Sequence, residues 1–193
     1  MPRTVDTAAT GDVITLDEVK DHINMDRSNS AFDNKLTALR DTAVQMARDK
    51  TNRQFLTATY SWSFDGFKRH MYLPDPPLQS VDKVEYRDED GNWQTIDTAR
   101  YQVYTSVEPG YVRFNNDYDW PELYEDEDYP VRITYTCGYN SASDIPSPIK
   151  LWIKNTIGSY WLSPEGQKVG VDVTELQSHM DRLMQGQIVA RFG

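Results

Sequence analysis

The spacing of apolar residues changes twice along this chain, and that change limits the folds it can adopt. Between residues 30 and 55, apolar residues recur at intervals of four and three, the period of an amphipathic helix. From residue 59 the interval becomes two, because Tyr60, Trp62 and Phe64 alternate with small polar residues, as in a half-buried strand. Helical spacing returns after Ser147. The order predicts an α+β protein in which a small helical bundle is interrupted by an antiparallel β insertion.

Three helices are predicted to form the bundle. The first begins at Thr15, because Thr15 and Glu18 have the spacing of a capping box. The second occupies residues 30–55, and the third begins near Ser147, a good N-cap followed by a proline that fits the first helical position. The apolar stripes of the second and third helices are predicted to form the helical core, with Phe32, Leu36, Leu39, Met46, Ile149, Trp152, Ile153, Ile157 and Trp161 as members.

Short strands separated by turn residues are predicted between the second and third helices. The segment Asp88–Asn92 contains Asp-Glu-Asp-Gly-Asn and is typical of a hairpin connection. After the alternating run at 59–64, the predicted strands are His70–Leu73, Ser80–Arg87, Trp93–Ile96, Arg100–Thr105, Tyr111–Phe114 and Val131–Cys137.

The pattern divides the chain into five consecutive segments. We expect a flexible N-terminal tail, the first part of the helical core, the β insertion, the last core helix, and a C-terminal extension with a further helix and a short apolar tail. Their predicted bounds are 1–13, 14–55, 56–140, 141–166 and 167–193.

Charge and composition restrict the partners of the chain. Its 20 Lys plus Arg against 30 Asp plus Glu give a net charge of -10, which opposes tight binding to nucleic acid or anionic lipid. Aromatic residues make up 12% of the chain, too many for a disordered acidic protein. A single cysteine excludes an intrachain disulfide, and no apolar run is long enough for a membrane span. We expect a globular protein made in the cytoplasm.

Residues that could carry chemistry are scattered, and a structural role is favoured for each. The acidic run Asp117–Asp128 matches no calcium loop, so a solvated acidic loop is the simpler interpretation. Cys137 follows the alternation of a buried strand, which favours a buried apolar role over a nucleophile. His22, His70 and His179 fall in three different predicted elements, which gives no metal or catalytic spacing.

No catalytic or cofactor motif is present in the sequence. A phosphate loop, a Gly-x-Ser-x-Gly elbow, a dinucleotide fingerprint and a His-Glu-x-x-His zinc motif are all missing. We therefore expect a protein that is not an enzyme and needs no cofactor and no metal. The alternative is a carbohydrate-binding or glycan-degrading module that uses its Trp and Tyr side chains together with the acidic loop.

Three segments resemble one family of proteins. The run LPDPPLQSVDKVEYRDEDG at residues 73–91 resembles the "LP.PP..SV..V.Y.D.DG" segment of the head–tail connector proteins of tailed bacteriophages. Residues 131–139, VRITYTCGY, with Ile145-Pro146 and the helix after them, resemble the family's "V.YT.GY…P..IK" block. The opening ITLDEVK at residues 14–20 also fits. The resemblance covers roughly residues 14–163, and residues 162–166 depart from the family's usual Asn-Arg-Glu-like ending.

The resemblance implies a structural adaptor in the neck of the virion. Such proteins form a ring, typically a dodecamer, beneath the portal and extend the channel through which the genome is ejected. The implied partners are further copies of the chain, the portal protein and a downstream neck or tail protein, with no membrane. A head-closure or tail-terminator protein of the neck is a further alternative.

The C-terminal extension is expected to dock on the portal. It has too little apolar surface to fold alone, which favours ordering on a partner. The residues expected to anchor it are Leu176, Met180, Leu183, Ile188, Val189 and Phe192. DNA is expected to pass through the lumen without specific binding, since an acidic wall repels phosphates and only isolated basic positions between Arg40 and Arg53 would lie nearby.

Overall fold

The computed structural model describes residues 2–117, 119–162, 182 and 184–190. It separates into two compact units. One, here called the β unit, comprises residues 1–10, 56–140 and 189–193, and the other, the helical unit, comprises residues 11–55 and 141–188. The described residues form three α-helices and two antiparallel sheets, so the predicted α+β class is confirmed.

The first helix, α1 (Leu16–His22), begins where the capping box predicts. The Thr15 hydroxyl accepts a hydrogen bond from the Glu18 amide at 3.2 Å, and the Glu18 carboxylate accepts one from the Thr15 amide at 3.0 Å. Burial alone would raise the pKa of Glu18, but the Thr15 amide and the ammonium group of Lys154 hold that pKa below its ordinary value. The start of α1 is thus fixed by its own sequence.

The other two helices, α2 (Asp33–Thr51) and α3 (Ser147–Leu162), pack against each other. α2 ends at Asn52, whose φ of 54° lies in the left-handed region that commonly terminates helices. The buried positions of α2 are Leu36, Ala43, Ala47 and Thr51, and those of α3 are Ile149, Trp152, Ile153, Thr156 and Ile157.

The β unit is built from strands that lie close to their predicted positions. The strands are β1 (Arg3–Thr7), β2 (Ala58–Phe64), β3 (His70–Tyr72), β4 (Leu78–Arg87), β5 (Trp93–Thr95), β6 (Tyr101–Tyr104), β7 (Tyr111–Phe114) and β8 (Val131–Cys137). They form a five-stranded sheet in the order β1-β2-β8-β4-β5 and a three-stranded sheet in the order β3-β7-β6.

A single apolar cluster fills the β unit, and β8 runs through it. Val131, Ile133, Tyr135 and Cys137 are completely buried and face residues from both sheets. The prediction that Cys137 is a buried apolar residue is confirmed. The Asp88–Asn92 hairpin is also confirmed, since the amide of Asn92 donates to the Asp88 carboxylate at 2.8 Å.

The structure differs from the sequence prediction at the N-terminus. The tail expected over residues 1–13 instead contains β1, which pairs with β2 although all five of its residues are exposed. Side-chain contacts support the strand: Arg3 pairs with Asp75 and lies 4.8 Å from the ring of Tyr60. A strand that buries no apolar face leaves no alternation in the sequence, which explains the missed prediction.

Candidate interaction surfaces

The residues predicted to form the helical core occupy three kinds of position. Leu36, Ile149, Ile153 and Ile157 are completely buried, and Trp152 nearly so. Leu39 and Trp161 are half-buried. Phe32 and Met46 are 44% and 38% exposed, so their placement in the core is corrected. Met46 lies one position before Ala47 on α2, at the edge of the buried stripe, and Phe32 precedes the first turn of that helix.

Phe32 takes part in a small aromatic cluster at the surface of the helical unit. Its ring meets the ring of Trp161 edge-on at a centroid distance of 5.4 Å. The ammonium nitrogen of Lys35 lies 4.8 Å from the centroid of the same indole, within range of a cation–π interaction. The two rings therefore join α2 to the end of α3 at the surface.

Lys20 is a buried charge that the sequence pattern does not indicate. Only 3% of the residue is exposed, and its ammonium nitrogen lies 2.7 Å from the Asp33 carboxylate and 3.0 Å from the carbonyl of Arg27, which accepts a hydrogen bond from it. The side chain thereby ties α1 to the loop that precedes α2 and to the first turn of α2. We assign it to folding, because both of its partners belong to the helical unit.

Three arginines on α2 or just after it form ion pairs or hydrogen bonds within the helical unit. Arg40 is largely buried and lies 2.8 Å from Asp12. Arg48 donates to the side chain of Gln54, and Arg53 donates to the carbonyl of Gln187 at 2.7 Å. All three guanidinium groups therefore have partners within the helical unit, and that of Arg40 is an anion.

Most of the predicted docking anchors at the C-terminus cannot be placed. Leu176, Met180, Leu183 and Phe192 lie outside the described residues. Of the remaining two, Ile188 is 47% exposed and Val189 is buried. The neighbouring Met184, which is not among the predicted anchors, is completely buried.

The described histidines occupy unrelated positions. His22 ends α1, where burial lowers its pKa and the nearby Lys154 lowers it further. His70 begins β3 and is exposed, and His179 lies outside the described residues. Across the described part of the chain, no group of three or more His, Cys, Asp or Glu side chains is arranged to hold a metal ion.

The acidic segment, residues 117–128, has no regular secondary structure where it is described. Trp120 anchors it by stacking on Phe67 at a centroid distance of 4.9 Å. The amide of Tyr124 donates to the carbonyl of Arg87 at 3.1 Å, which holds the segment against β4. Its shape is thus fixed by the β unit.

Negative charge accumulates on this segment. Among the described residues, only Glu127 of its seven carboxylates forms an ion pair, with Arg87. The carboxyl group of Glu122 also lies next to that of Glu89, and the hydrogen bond and negative charge of Glu122 raise the pKa of Glu89. The acidic segment is therefore a preformed anionic surface.

The three-stranded sheet presents a row of tyrosines on its outer side. Tyr72 on β3 and Tyr104 on β6 each lie opposite Tyr111 on the central strand β7. Ring centroids are 5.3 Å apart for Tyr72 and Tyr111 and 4.6 Å apart for the stacked pair Tyr104 and Tyr111. The next row along the strands consists of His70, Arg113 and Gln102. We call these two rows of side chains the aromatic face.

The opposite side of that sheet belongs to the core. Met71, Val112 and Phe114 are completely or almost completely buried there. The aromatic face itself stays accessible, with Tyr72 43% exposed and His70 and Gln102 also exposed. This row is not evident from the sequence, because alternation shows which residues share a side of one strand but not which strands become neighbours.

Two arginines on or next to this face form no ion pair with a described residue. Arg113 lies between His70 and Gln102 on neighbouring strands, and Arg69 precedes β3, where its carbonyl accepts a hydrogen bond from the amide of Phe114. Neither guanidinium forms an ion pair with a described residue, whereas Arg3, Arg27, Arg40, Arg87 and Arg132 all do.

None of the described helices combines the length and the apolar character that crossing a membrane requires.

Comparison with known proteins gives full-length structural matches. A chain from the virion of a native gene transfer agent particle matches with a TM-score of 0.78 at 14% identity, covering 100% of this chain and 98% of that chain. A chain from the neck of the empty particle, computed with C6 symmetry, gives 0.76 at 16% identity with the same coverage. The neck of the native particle, computed with C12 symmetry, gives 0.74 at 14%, again with the same coverage.

These matches establish a shared fold. No protein-family model and no curated protein matches the chain, so the similarity exists at the level of structure. Because 100% of this chain is covered, the resemblance extends over both the helical unit and the β unit.

Proposed function

We propose that this protein is a head–tail connector, a non-enzymatic structural protein located in the neck of a virion. In this role it forms a ring beneath the portal, extends the channel for the genome and joins the head to the tail. The observation that carries the proposal is the match of the whole chain to chains of gene transfer agent particles, two of them described as particle necks.

A ring assembly is supported by two independent observations. The matched neck structures were computed with C6 and C12 symmetry, which suits a component present in six or twelve copies around an axis. The three connector-like sequence segments lie in the same order and spacing as in phage adaptors. A dodecamer is the stoichiometry we propose.

The charges of the chain suit a channel that DNA passes through without being held. The net charge of -10 repels phosphates, and Arg40, Arg48 and Arg53 are engaged within the helical unit. We therefore expect a mainly acidic lumen. A continuous basic lumen in the assembled ring would contradict this expectation.

Docking of the C-terminal extension on the portal is the most direct contact to test. Deleting residues 171–193 would also remove the completely buried Met184, so loss of binding could reflect misfolding. A sharper variant is Ile188→Asp, because this exposed side chain can change without disturbing a core. Leu151→Asp, at a 45% exposed apolar residue of α3, is the matched control.

The experiment mixes each purified variant with the portal protein of the same particle and measures complex formation by light scattering. We expect wild type and Leu151→Asp to form a ring-sized complex, and Ile188→Asp to bind at least about tenfold more weakly, the cost of placing a charge in an apolar contact. Unchanged binding by Ile188→Asp would refute this docking site, and a wild-type chain that never forms a ring would refute the connector.

Two other functions are distinguished by the oligomeric state and by the partner that the protein binds. A carbohydrate module would remain monomeric and be retained on a glycan matrix, for which the tyrosine row, with Tyr72 43% exposed, is the supporting feature. A head-closure or tail-terminator protein would assemble but would bind a neck or tail component in preference to the portal.

A further inference from the structure

The aromatic face is not required to complete the core of its own chain. The inner side of the same sheet already supplies Met71, Val112 and Phe114 to the buried cluster. The outer side adds tyrosines and an arginine, residue types that are enriched at protein interfaces because they combine contact area with hydrogen-bonding groups. Its position on short strands of a packed sheet also makes it rigid, so little entropy is lost on binding.

The charges on this face call for an anionic partner. Arg113 lies within the face and Arg69 at its border, and neither forms an ion pair with a described residue. Lys68 lies nearby but is paired with Asp65 at 3.4 Å, so it adds no net charge. The region is therefore a local basic surface on a chain whose net charge is -10.

The same chain carries a surface of matching character. The acidic segment is fixed in shape by Trp120 and Tyr124, and Glu127 is its one carboxylate in an ion pair with a described residue. The crowding of Glu122 against Glu89 means that a cation from outside would relieve a repulsion. Within the described chain, neither Arg69 nor Arg113 pairs with any of these carboxylates.

In a cyclic ring, each copy contacts the next through two different surfaces, which must be complementary to each other. We propose that the aromatic face of one copy binds the acidic segment of the neighbouring copy. Arg69 and Arg113 then pair with carboxylates of that segment, and the row Tyr72, Tyr111 and Tyr104 supplies the apolar contact area. This inference rests on the ring proposed above and assigns it a specific contact.

A first experiment tests proximity by disulfide formation between two populations of single variants. One population carries Arg113→Cys and the other Asp126→Cys, and the native Cys137 is buried and so protected from exchange. On mixing under mild oxidation, we expect the mixed dimer to exceed both homodimers. In the control, the first population carries Arg27→Cys in place of Arg113→Cys. Arg27 is exposed in the helical unit, so the mixed dimer is then expected to lose its excess over the homodimers.

A second experiment tests the charges. Arg69→Glu/Arg113→Glu and, separately, Asp126→Lys/Asp128→Lys should each weaken self-association by at least about tenfold in sedimentation velocity. Mixing the two reversed populations should restore association. When the two kinds of copy alternate, every face meets a segment of opposite charge. Arg27→Glu makes the same charge change per residue outside the face and should associate like wild type, and thermal unfolding confirms that each variant is folded.

The outcomes separate this inference from the proposed function. If rings form and the reversed variants assemble like wild type, the contact is wrong while the connector stands. If the wild type forms no ring with or without the portal and the mixed disulfide shows no preference, both fail. If the arginine variants change only the binding of a short DNA duplex, measured by fluorescence anisotropy, the face binds nucleic acid and the proposed contact is overturned.

Discussion

Lys20 shows how one side chain can stabilise a fold without contributing to an apolar stripe. Its ammonium group is buried, and Asp33 supplies the counter-charge at 2.7 Å. Asp33 is itself about one-third exposed, so water can partly solvate its carboxylate when Lys20 is replaced. The pair therefore has an asymmetric energetic role: removing the acid leaves a buried charge, whereas removing the base leaves a carboxylate that water can reach.

We predict that Asp33→Asn lowers the free energy of unfolding by about 2 kcal/mol, because it leaves the Lys20 ammonium without its counter-charge. Lys20→Met keeps the volume of the side chain and should cost less. In the double variant the cost of Asp33→Asn should largely disappear, as a double-mutant cycle in urea would show. Additive costs would contradict a coupled pair.

Glu89 gives a pH-dependent prediction at the same scale. Its pKa is raised in the folded chain by Glu122, so the folded state binds the proton more tightly than the unfolded state does. Stability is therefore lost as the pH rises from the ordinary carboxyl range, about 4, through the raised pKa. We predict that Glu89→Gln increases the Tm at pH 7 and that the increase vanishes below about pH 4, where the carboxyl group is neutral in both states.

Calorimetry of Glu89→Gln across this pH range checks the prediction. Glu125→Gln, also in an exposed position, controls for the loss of one negative charge from the same region. An equal gain in both variants would show that the total charge matters and the Glu89–Glu122 contact does not.

At the scale of elements, the packing of the β6–β7 hairpin depends on the absence of a side chain at Gly110. A Cβ atom on Gly110 would lie 2.6 Å from Cβ of Leu78 and 3.0 Å from the carbonyl oxygen of Tyr104. Neither is the flexible end of a side chain, so the backbone would have to move. The glycine thereby lets the hairpin that carries Tyr104 and Tyr111 pack against Leu78.

We predict that Gly110→Ala destabilises the protein by about 2 kcal/mol, as expected for overpacking at a tightly packed position. Gly66→Ala is the control, since its Cβ would make only an ordinary contact of 4.0 Å with Leu123. Chemical unfolding of both variants checks the difference. If Gly110→Ala is tolerated as well as Gly66→Ala, the close approach does not constrain the hairpin.

The elements also show which parts of the structure are encoded locally. Capping at Thr15 and the alternation in Val131–Cys137 are local signals, and both were predicted at their observed positions. The pairing of Tyr72 with Tyr111 depends on which strands become neighbours, and Lys20 is buried by the loop after α1. Such features arise from contacts between distant or irregular segments, so the candidate interface was not predictable although its strands were.

At the scale of the whole molecule, the proposed contact between a basic and an acidic surface implies that self-association depends on salt. Raising NaCl from about 0.1 M to about 1 M shortens the screening length from about 10 Å to about 3 Å. We predict that self-association weakens over this range, because exposed charges dominate the proposed contact. Association that strengthens with salt, measured by sedimentation, would indicate an apolar interface instead.

The β unit interrupts the helical unit, and the positions where the chain enters and leaves it are adjacent. Leu56 and Tyr139 form an isolated bridge, so the ends of the long segment 56–140 are held together once the β unit has folded. Without that bridge, pairing α2 with α3 would close a disordered loop at an entropic cost of about 4 kcal/mol, and with it the cost falls to about 2 kcal/mol. Folding of the β unit is therefore favoured to come before the pairing of α2 with α3, because the loop that the pairing must close is then shorter.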